Sequence, residues 1–386
     1  MQRARIMALN SKQSEKGCVL YLMSRDQRVA DNHALLAAQA DANERREPLI
    51  VAFNLYPQLG VRAREQYEFM LKGLREVETK LNKLSIPMVM STGDAAVEVP
   101  KLCKKLQAAA LYCDFSPLRG PRKMQKTLAA KLDLPIYVVD THNIVPVWVL
   151  SDKQEFAAHT IRRKVHTHLE QWLVEPEQPT KHQYPVSLDP IDWQAAGKIL
   201  DVLPTNGIKP RVKPGEKAGK AQLRHFVRAT LPRYAAERND PNAHAQTGLS
   251  PYLHFGHLSS LRVALEVLNE MREPPLLFQK AKLVEVGKNP TIEDNCNALL
   301  EELIVRKELS DNYCFYTPHY DSLEGAWPWA KQTLAEHADD PREFLYTRNE
   351  LEACETHDDV WNAAQRQMMD SGIMHGYMRM YWAKKS

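Results

Sequence analysis

Cys18-Val19-Leu20-Tyr21-Leu22-Met23 is followed by Ser24-Arg25-Asp26-Gln27-Arg28, and the change of character after Met23 decides the fold class. Six consecutive non-polar residues without polar alternation read as a strand buried on both faces, and the polar run that follows reads as a loop at its carboxyl end. Working outward, the pattern repeats at Leu49 to Leu55, Ile86 to Met90, Ala110 to Phe115 and Ile136 to Asp140. Helical spacing separates these runs at Ala34 to Ala40, Glu65 to Leu84 and Val97 to Gln107. Strands alternating with helices predict a parallel sheet covered on both sides. No Gly-x-Gly-x-x-Gly follows the first strand, so a dinucleotide is not held there in the usual way, although the loops after the strands are the natural ligand site of such a sheet. Residues 1–16 are polar and read as a loose arm.

The 386 residues exceed one ordinary core, and 44% apolar with 26% charged residues is the composition of a globular protein. No apolar run is long enough to span a bilayer, and no signal peptide is evident. Six cysteines form no Cys-x-x-Cys pair, which reads as reduced thiols in a cytoplasmic protein without structural zinc. A net charge of +3 leaves nucleic-acid binding to local surfaces. From Ser151 to about residue 217 prolines recur and break long helices, predicting a linker in which residues 157–164 form a short basic helix or turn. Beyond it only helical patterns follow, predicting an all-α second domain. Lys209, Arg211, Lys213, Lys217, Lys220, Arg224 and Arg228 form a basic run, read either as a solvated face or as a phosphate contact. Thr247-Gly248-Leu249-Ser250-Pro251-Tyr252-Leu253-His254-Phe255-Gly256-His257-Leu258-Ser259-Ser260 then leads into a helix. It reads as a capped loop, with Ser250 or Ser259/Ser260 as cap, or as an anion cradle.

In order along the chain stand Met23 to Arg28, Phe69-Met70-Leu71-Lys72-Gly73-Leu74, Asp114-Phe115-Ser116-Pro117-Leu118-Arg119, Asp140 to Trp148 and Ala158-His159-Thr160-Ile161-Arg162. The second half adds Arg238-Asn239-Asp240-Pro241, Leu249 to Gly256, Glu301 to Asn312, His357 to Gln365 and His375 to Lys385. This ordered set resembles the class II cyclobutane-pyrimidine-dimer photolyases of the photolyase/cryptochrome family. The resemblance implies a Rossmann-like α/β antenna domain (17–150), a linker (151–217) and a helical FAD-binding domain (218–386). It implies light-driven electron transfer from reduced FAD that splits pyrimidine dimers in UV-damaged DNA, with the dimer flipped out of the duplex.

Carried across residue by residue, Tyr234, Thr247, Gly248, Leu249, Ser250, Tyr252 and Leu253 match the flavin-diphosphate region. Glu302, Arg238 and Met380 match positions facing the lesion, and Trp361 and Trp382 match an electron-transfer chain. Arg306 and Lys307 share the Glu302 helix, with Arg306 at i+4 and so on its face. Together with Arg211 and Lys213 they are assigned to DNA. The plainer reading of Glu302 and Arg306 is an intrahelical ion pair. Trp327 and Trp329 read as packing, and His254, His257 and His357 lack metal-ligand spacing. The chain stops at Ser386, where the family continues with further helix, which implies an incomplete flavin domain. The antenna chromophore is open between a deazaflavin, a folate and none. A non-catalytic flavoprotein photoreceptor or damage binder, and a flavin-free inert fragment, are the competing readings. A monomer without membrane contact is expected.

Overall fold

The computed structural model describes residues 2–14, 16–57, 63–208, 211–271 and 289–385, so Lys209 and Ser386 lie outside the described residues. Six strands, β1 (Ile6–Ala8), β2 (Cys18–Met23), β3 (Leu49–Leu55), β4 (Met88–Thr92), β5 (Ala108–Asp114) and β6 (Ile136–Val139), form one sheet in the order β1-β6-β5-β2-β3-β4. All neighbours are parallel except β1, which pairs antiparallel with β6. Alternate side chains of β2 enter opposite cores: Val19, Tyr21 and Met23 join one apolar cluster, and Cys18, Leu20 and Leu22 the other. That alternation buries the strand on both faces, as its unbroken apolar run predicts.

Three expectations are corrected. The amino terminus is not a loose arm: β1 closes the sheet edge, and Arg5 is buried, donating to the carbonyls of Asp140, Asn143 and Ile144. Burial pulls its pKa down to about 10, against the attraction of Asp140 and Glu308. A helix the sequence reading passes over, Arg119–Lys131, covers the sheet between β5 and β6. It is mostly charged, and only Gln125 and Leu128 are buried, so its apolar period is faint. Within the linker, Ala158–Trp172 is a full helix with Ile161, Arg162, Val165, Leu169 and Trp172 buried, not a short turn.

In the helical half, Ile292–Leu300 runs into a π-helical segment, Glu301–Arg306, and then into Lys307–Tyr316. This element docks on the carboxyl ends of β2, β5 and β6, where the sheet's strand order reverses. Arg25 grips Asp311 with both terminal nitrogens (2.9 and 3.1 Å), and Asn143 donates to the same carboxylate (3.0 Å). Lys307 donates to the His142 carbonyl and Asn143 Oδ1, both at 2.9 Å, and Glu308 accepts the Ile144 N–H at 2.6 Å. Asp114 in turn accepts the N–H groups of Ser24, Arg25 and Asp26. The crevice that usually takes a ligand in such sheets is therefore occupied here by the helical domain.

Candidate functional site

Glu302 and Arg238, 64 residues apart, meet at 3.2 Å. The guanidinium also lies 5.7 Å from the centre of the Tyr234 ring, so the pair and the phenol form one cluster. Tyr234 is buried, and burial raises its pKa against the lowering influence of Arg238. The arrangement depends on the π-helical turn. Its backbone closes i to i+5, which changes which side chains lie above one another. Arg306 consequently pairs with Glu301, at 3.2 Å, rather than with Glu302. Glu301 is also held by Arg162 through bonds of 3.0 and 2.6 Å. The expected shared face of Glu302 and Arg306 is thus corrected, as is the intrahelical pair between them. Lys307 is corrected as well: its ammonium is spent on His142 and Asn143 in the interdomain seam, away from any DNA surface. Arg306 remains exposed, as do Arg211 and Lys213.

The two indoles are brought together. Asp359–Ser371 is capped by the Asp358 carboxylate and ends at Gly372 in the left-handed region, φ 69°. Gly376–Lys385 packs across it so that Trp361 and Trp382 stack with ring centres 5.5 Å apart and planes 15° from parallel. Trp361 Nε1 donates to the Trp382 carbonyl at 3.1 Å, and Trp382 Nε1 to Gln365 Oε1 at 3.1 Å. Both rings are therefore fixed in register. Met380 lies on the same last helix with an exposed side chain.

The 247–260 stretch divides in two. Leu249 and Tyr252 are buried, Leu253 packs partly against the same core, and the Tyr252 hydroxyl donates to the Lys213 carbonyl at 2.9 Å. These side chains build the wall and offer no polar atom to a ligand. Thr247, Gly248 and Ser250 face outward. Gly248 adopts φ +65°, and a Cβ there would come within 2.7 Å of the Gln222 amide. The N–H groups of Gly248 and Ser250 have no protein acceptor among the described residues. Two such donors beside two hydroxyls suit a diphosphate. The cap of the following helix is Ser259, which accepts from Leu261 N at 3.1 Å, while Ser250 lies inside the Ser250–His254 turn. The far end of the stretch is structural. Gly256, φ +68°, sits so close to Arg25 that a Cβ would stand 2.2 Å from its carbonyl, and Arg28 donates to the Gly256 carbonyl.

Other predicted roles also resolve. His257 is fully buried against Phe69, ring centres 5.3 Å apart, and burial lowers its pKa to about 4. Trp327 packs on Phe156 at 4.9 Å, but Trp329 is exposed, which corrects its assignment to packing. Gln246 is a residue the sequence reading misses. Its amide donates to the Arg238 carbonyl (2.6 Å) and lies 2.9 Å from His375 Nε2, linking the Glu302 cluster to the start of the last helix. A lone glutamine in a loop carries no sequence signal for that role.

A sheet domain docked through its strand ends onto a helical domain with an acid–guanidinium pair and stacked indoles is the architecture of photolyases and cryptochromes. A bacterial class III photolyase from Agrobacterium tumefaciens superposes with a TM-score of 0.70 over 97% of this chain and 73% of that one, at 18% identity. The DNA photolyase family profile matches residues 19–183. The chain is 41% identical to the deoxyribodipyrimidine photo-lyase of Arabidopsis thaliana, over 96% of this chain and 73% of that protein. It is 42% identical to that of Oryza sativa subsp. japonica, over 96% and 72% respectively. The chain belongs to the deoxyribodipyrimidine photo-lyase family, a family of lyases.

Proposed function

We propose that this chain is a class II photolyase that repairs cyclobutane pyrimidine dimers in UV-damaged DNA under light. The observation that carries the reading is the meeting of Glu302 and Arg238 over Tyr234, residues singled out separately from the sequence. Support for class II comes from the ordered strings, which span both domains. When bound, reduced FAD supplies the light-excited electron. The Thr247–Ser250 donors hold its diphosphate, and the Tyr234 side serves as wall. Arg238 holds the dimer through hydrogen bonds or a phosphate contact. Glu302 is half-exposed with a single ion-pair contact, which leaves it capacity to hydrogen-bond base edges. Trp361 and Trp382 relay electrons between the cofactor and the surface. Arg211, Lys213 and Arg306 contact phosphates, Met380 abuts the lesion, and the protein works as a monomer.

The test is dimer repair under blue light after reconstitution with reduced FAD. Repair of a dimer-containing oligonucleotide is expected, with affinity that falls steeply with salt. A flavin-loaded, folded sample that yields no monomeric pyrimidines rejects the reading.

A further inference from the structure

The last two helices place a phenol and a carboxylate beside the stacked indoles. Tyr381, the residue before Trp382, donates its hydroxyl to Asp358 Oδ2 at 2.6 Å. The other oxygen of the same carboxylate, Oδ1, accepts the Trp361 N–H at 2.9 Å. Asp358 therefore joins the Tyr381 phenol to the first turn of the helix that carries Trp361. The hydrogen bond to Asp358 raises the phenol's pKa, which keeps it protonated at neutral pH. Tyr381 is half-buried, at the edge of the domain, whereas Trp361 is buried.

An oxidised indole is a strong one-electron oxidant. A phenol can refill it only if the phenolic proton leaves with the electron, because a phenol radical cation is a very strong acid. A carboxylate already hydrogen-bonded to the hydroxyl gives that proton a place to go without any rearrangement. We propose that Tyr381 is the terminal electron donor of the indole pair, with Asp358 as its proton acceptor. The step is a single transfer. Trp361, as its radical cation, gains one electron from Tyr381. The Tyr381 O–H bond breaks and the proton passes to Asp358. The products are neutral Trp361, a neutral tyrosyl radical and the Asp358 carboxylic acid, and net charge is zero before and after. The oxidant that first empties the indoles is a photoexcited one-electron acceptor of the flavin class. The inference rests on the relay reading of Trp361 and Trp382.

Tyr346 offers a built-in control. It too meets a base, His357, but stacks with Phe344 and His357 and not with either indole. The full chain, without added cofactor, is photo-oxidised by flash excitation of a ruthenium polypyridyl with a sacrificial acceptor. Radicals are followed by transient absorption and electron paramagnetic resonance. Wild type and Tyr346→Phe are expected to convert an indole radical into a tyrosyl radical, and Tyr381→Phe to keep a long-lived indole radical with no tyrosyl signal. Asp358→Asn retains an N-capping side chain but is no base, so tyrosyl formation should slow on the order of ten-fold or more. A tyrosyl signal of wild-type size in Tyr381→Phe, or one lost in Tyr346→Phe, overturns the proposal. So does a wild-type indole radical that decays with no tyrosyl intermediate, which leaves the relay itself standing. Tyrosyl formation indifferent to both Trp361→Phe and Trp382→Phe overturns relay and proposal together.

Discussion

Glu301 and Glu302 are neighbours with opposite fates. Glu301 is buried and held by Arg162 through two bonds and by Arg306 through a third. Glu302 points outward, with its carboxylate about half exposed and one contact to Arg238. The same division separates the interdomain seam, where Arg25, Asp26, Arg28, Lys307 and Asp311 are multiply bonded, from the candidate pocket, where charges are left under-committed. Buried charges with full sets of partners hold parts together, and removing one partner strands the other. Half-exposed charges with spare hydrogen-bonding capacity cost little to keep and are available to a ligand. A family-marker string can thus mark either kind of work, and only the partner count tells which.

The comparison breaks first at Asp311. Asp311→Ala leaves Arg25 without its bidentate partner and Asn143 without an acceptor, and is expected to cost about 3–5 kcal/mol in urea unfolding. In the native seam burial opposes ionisation of Asp311, yet Arg25 and Lys307 hold its pKa well below the ordinary carboxylate range. A loss below about 1 kcal/mol would mean that the seam contributes little to holding the domains together.

Next in size is Gly256→Ala. The added Cβ meets backbone, not a movable side chain, at a positive φ, so about 2 kcal/mol or more is expected. Gly248→Ala faces the flexible Gln222 side chain instead and should cost about 1 kcal/mol while weakening flavin binding. Equal costs at the two glycines would remove the distinction between the structural and the ligand-facing ends of 247–260.

Much of this division was hidden in the sequence. The five parallel strands were legible because burial on both faces demands unbroken apolar runs. β1 was not, because Ile6-Met7-Ala8 is too short to show a pattern and gains its stability from β6, some 130 residues later. Glu302, Arg238, Trp361 and Trp382 were legible only through the strings around them. Periodicity alone favoured a Glu–Arg pair along the helix, and that reading failed because the turn at Glu301–Arg306 is π-helical. Lys307 looked like a free cation since its acceptors, at His142 and Asn143, lie far away in the chain.

Glu308 gives the seam a pH signature. Burial pushes its carboxyl up to about 8, against the lowering pull of Lys307 and the Ile144 N–H and with further raising by Asp140. Because the folded pKa lies above the unfolded one, the folded state holds the extra proton, and stability falls as pH rises from about 4.5 towards 8. Arg5, Asp140, Lys307 and Asp311 are the charged groups around it. Glu308→Gln, which carries no ionisable proton, should flatten that decline, its advantage over wild type growing to ~2 kcal/mol by the alkaline end. His142 acts oppositely: burial lowers its pKa to about 4, so its part of the stability is lost as pH falls from about 6.5 towards 4. Parallel pH profiles for wild type and Glu308→Gln would show that this carboxyl is ionised in the folded protein throughout the range.

The smallest effect on stability is expected at Glu302, and there the comparison is sharpest. Glu302→Ala removes one half-exposed contact, and unfolding should move by no more than about 0.5 kcal/mol. Flavin binding should hold, because the Thr247–Ser250 donors are untouched. The repair yield per absorbed photon should nevertheless fall several-fold, since the carboxyl that hydrogen-bonds the base edges is gone. Glu302→Gln separates two ways of losing yield. The amide still offers donors and an acceptor but carries no titratable proton, so a yield near wild type assigns the role to hydrogen bonding alone. A yield as low as that of Glu302→Ala assigns it to the carboxyl's proton. Destabilisation comparable to Asp311→Ala, with repair unchanged in molecules that remain folded, would move Glu302 to the structural side with Glu301 and leave Arg238 to face the lesion alone.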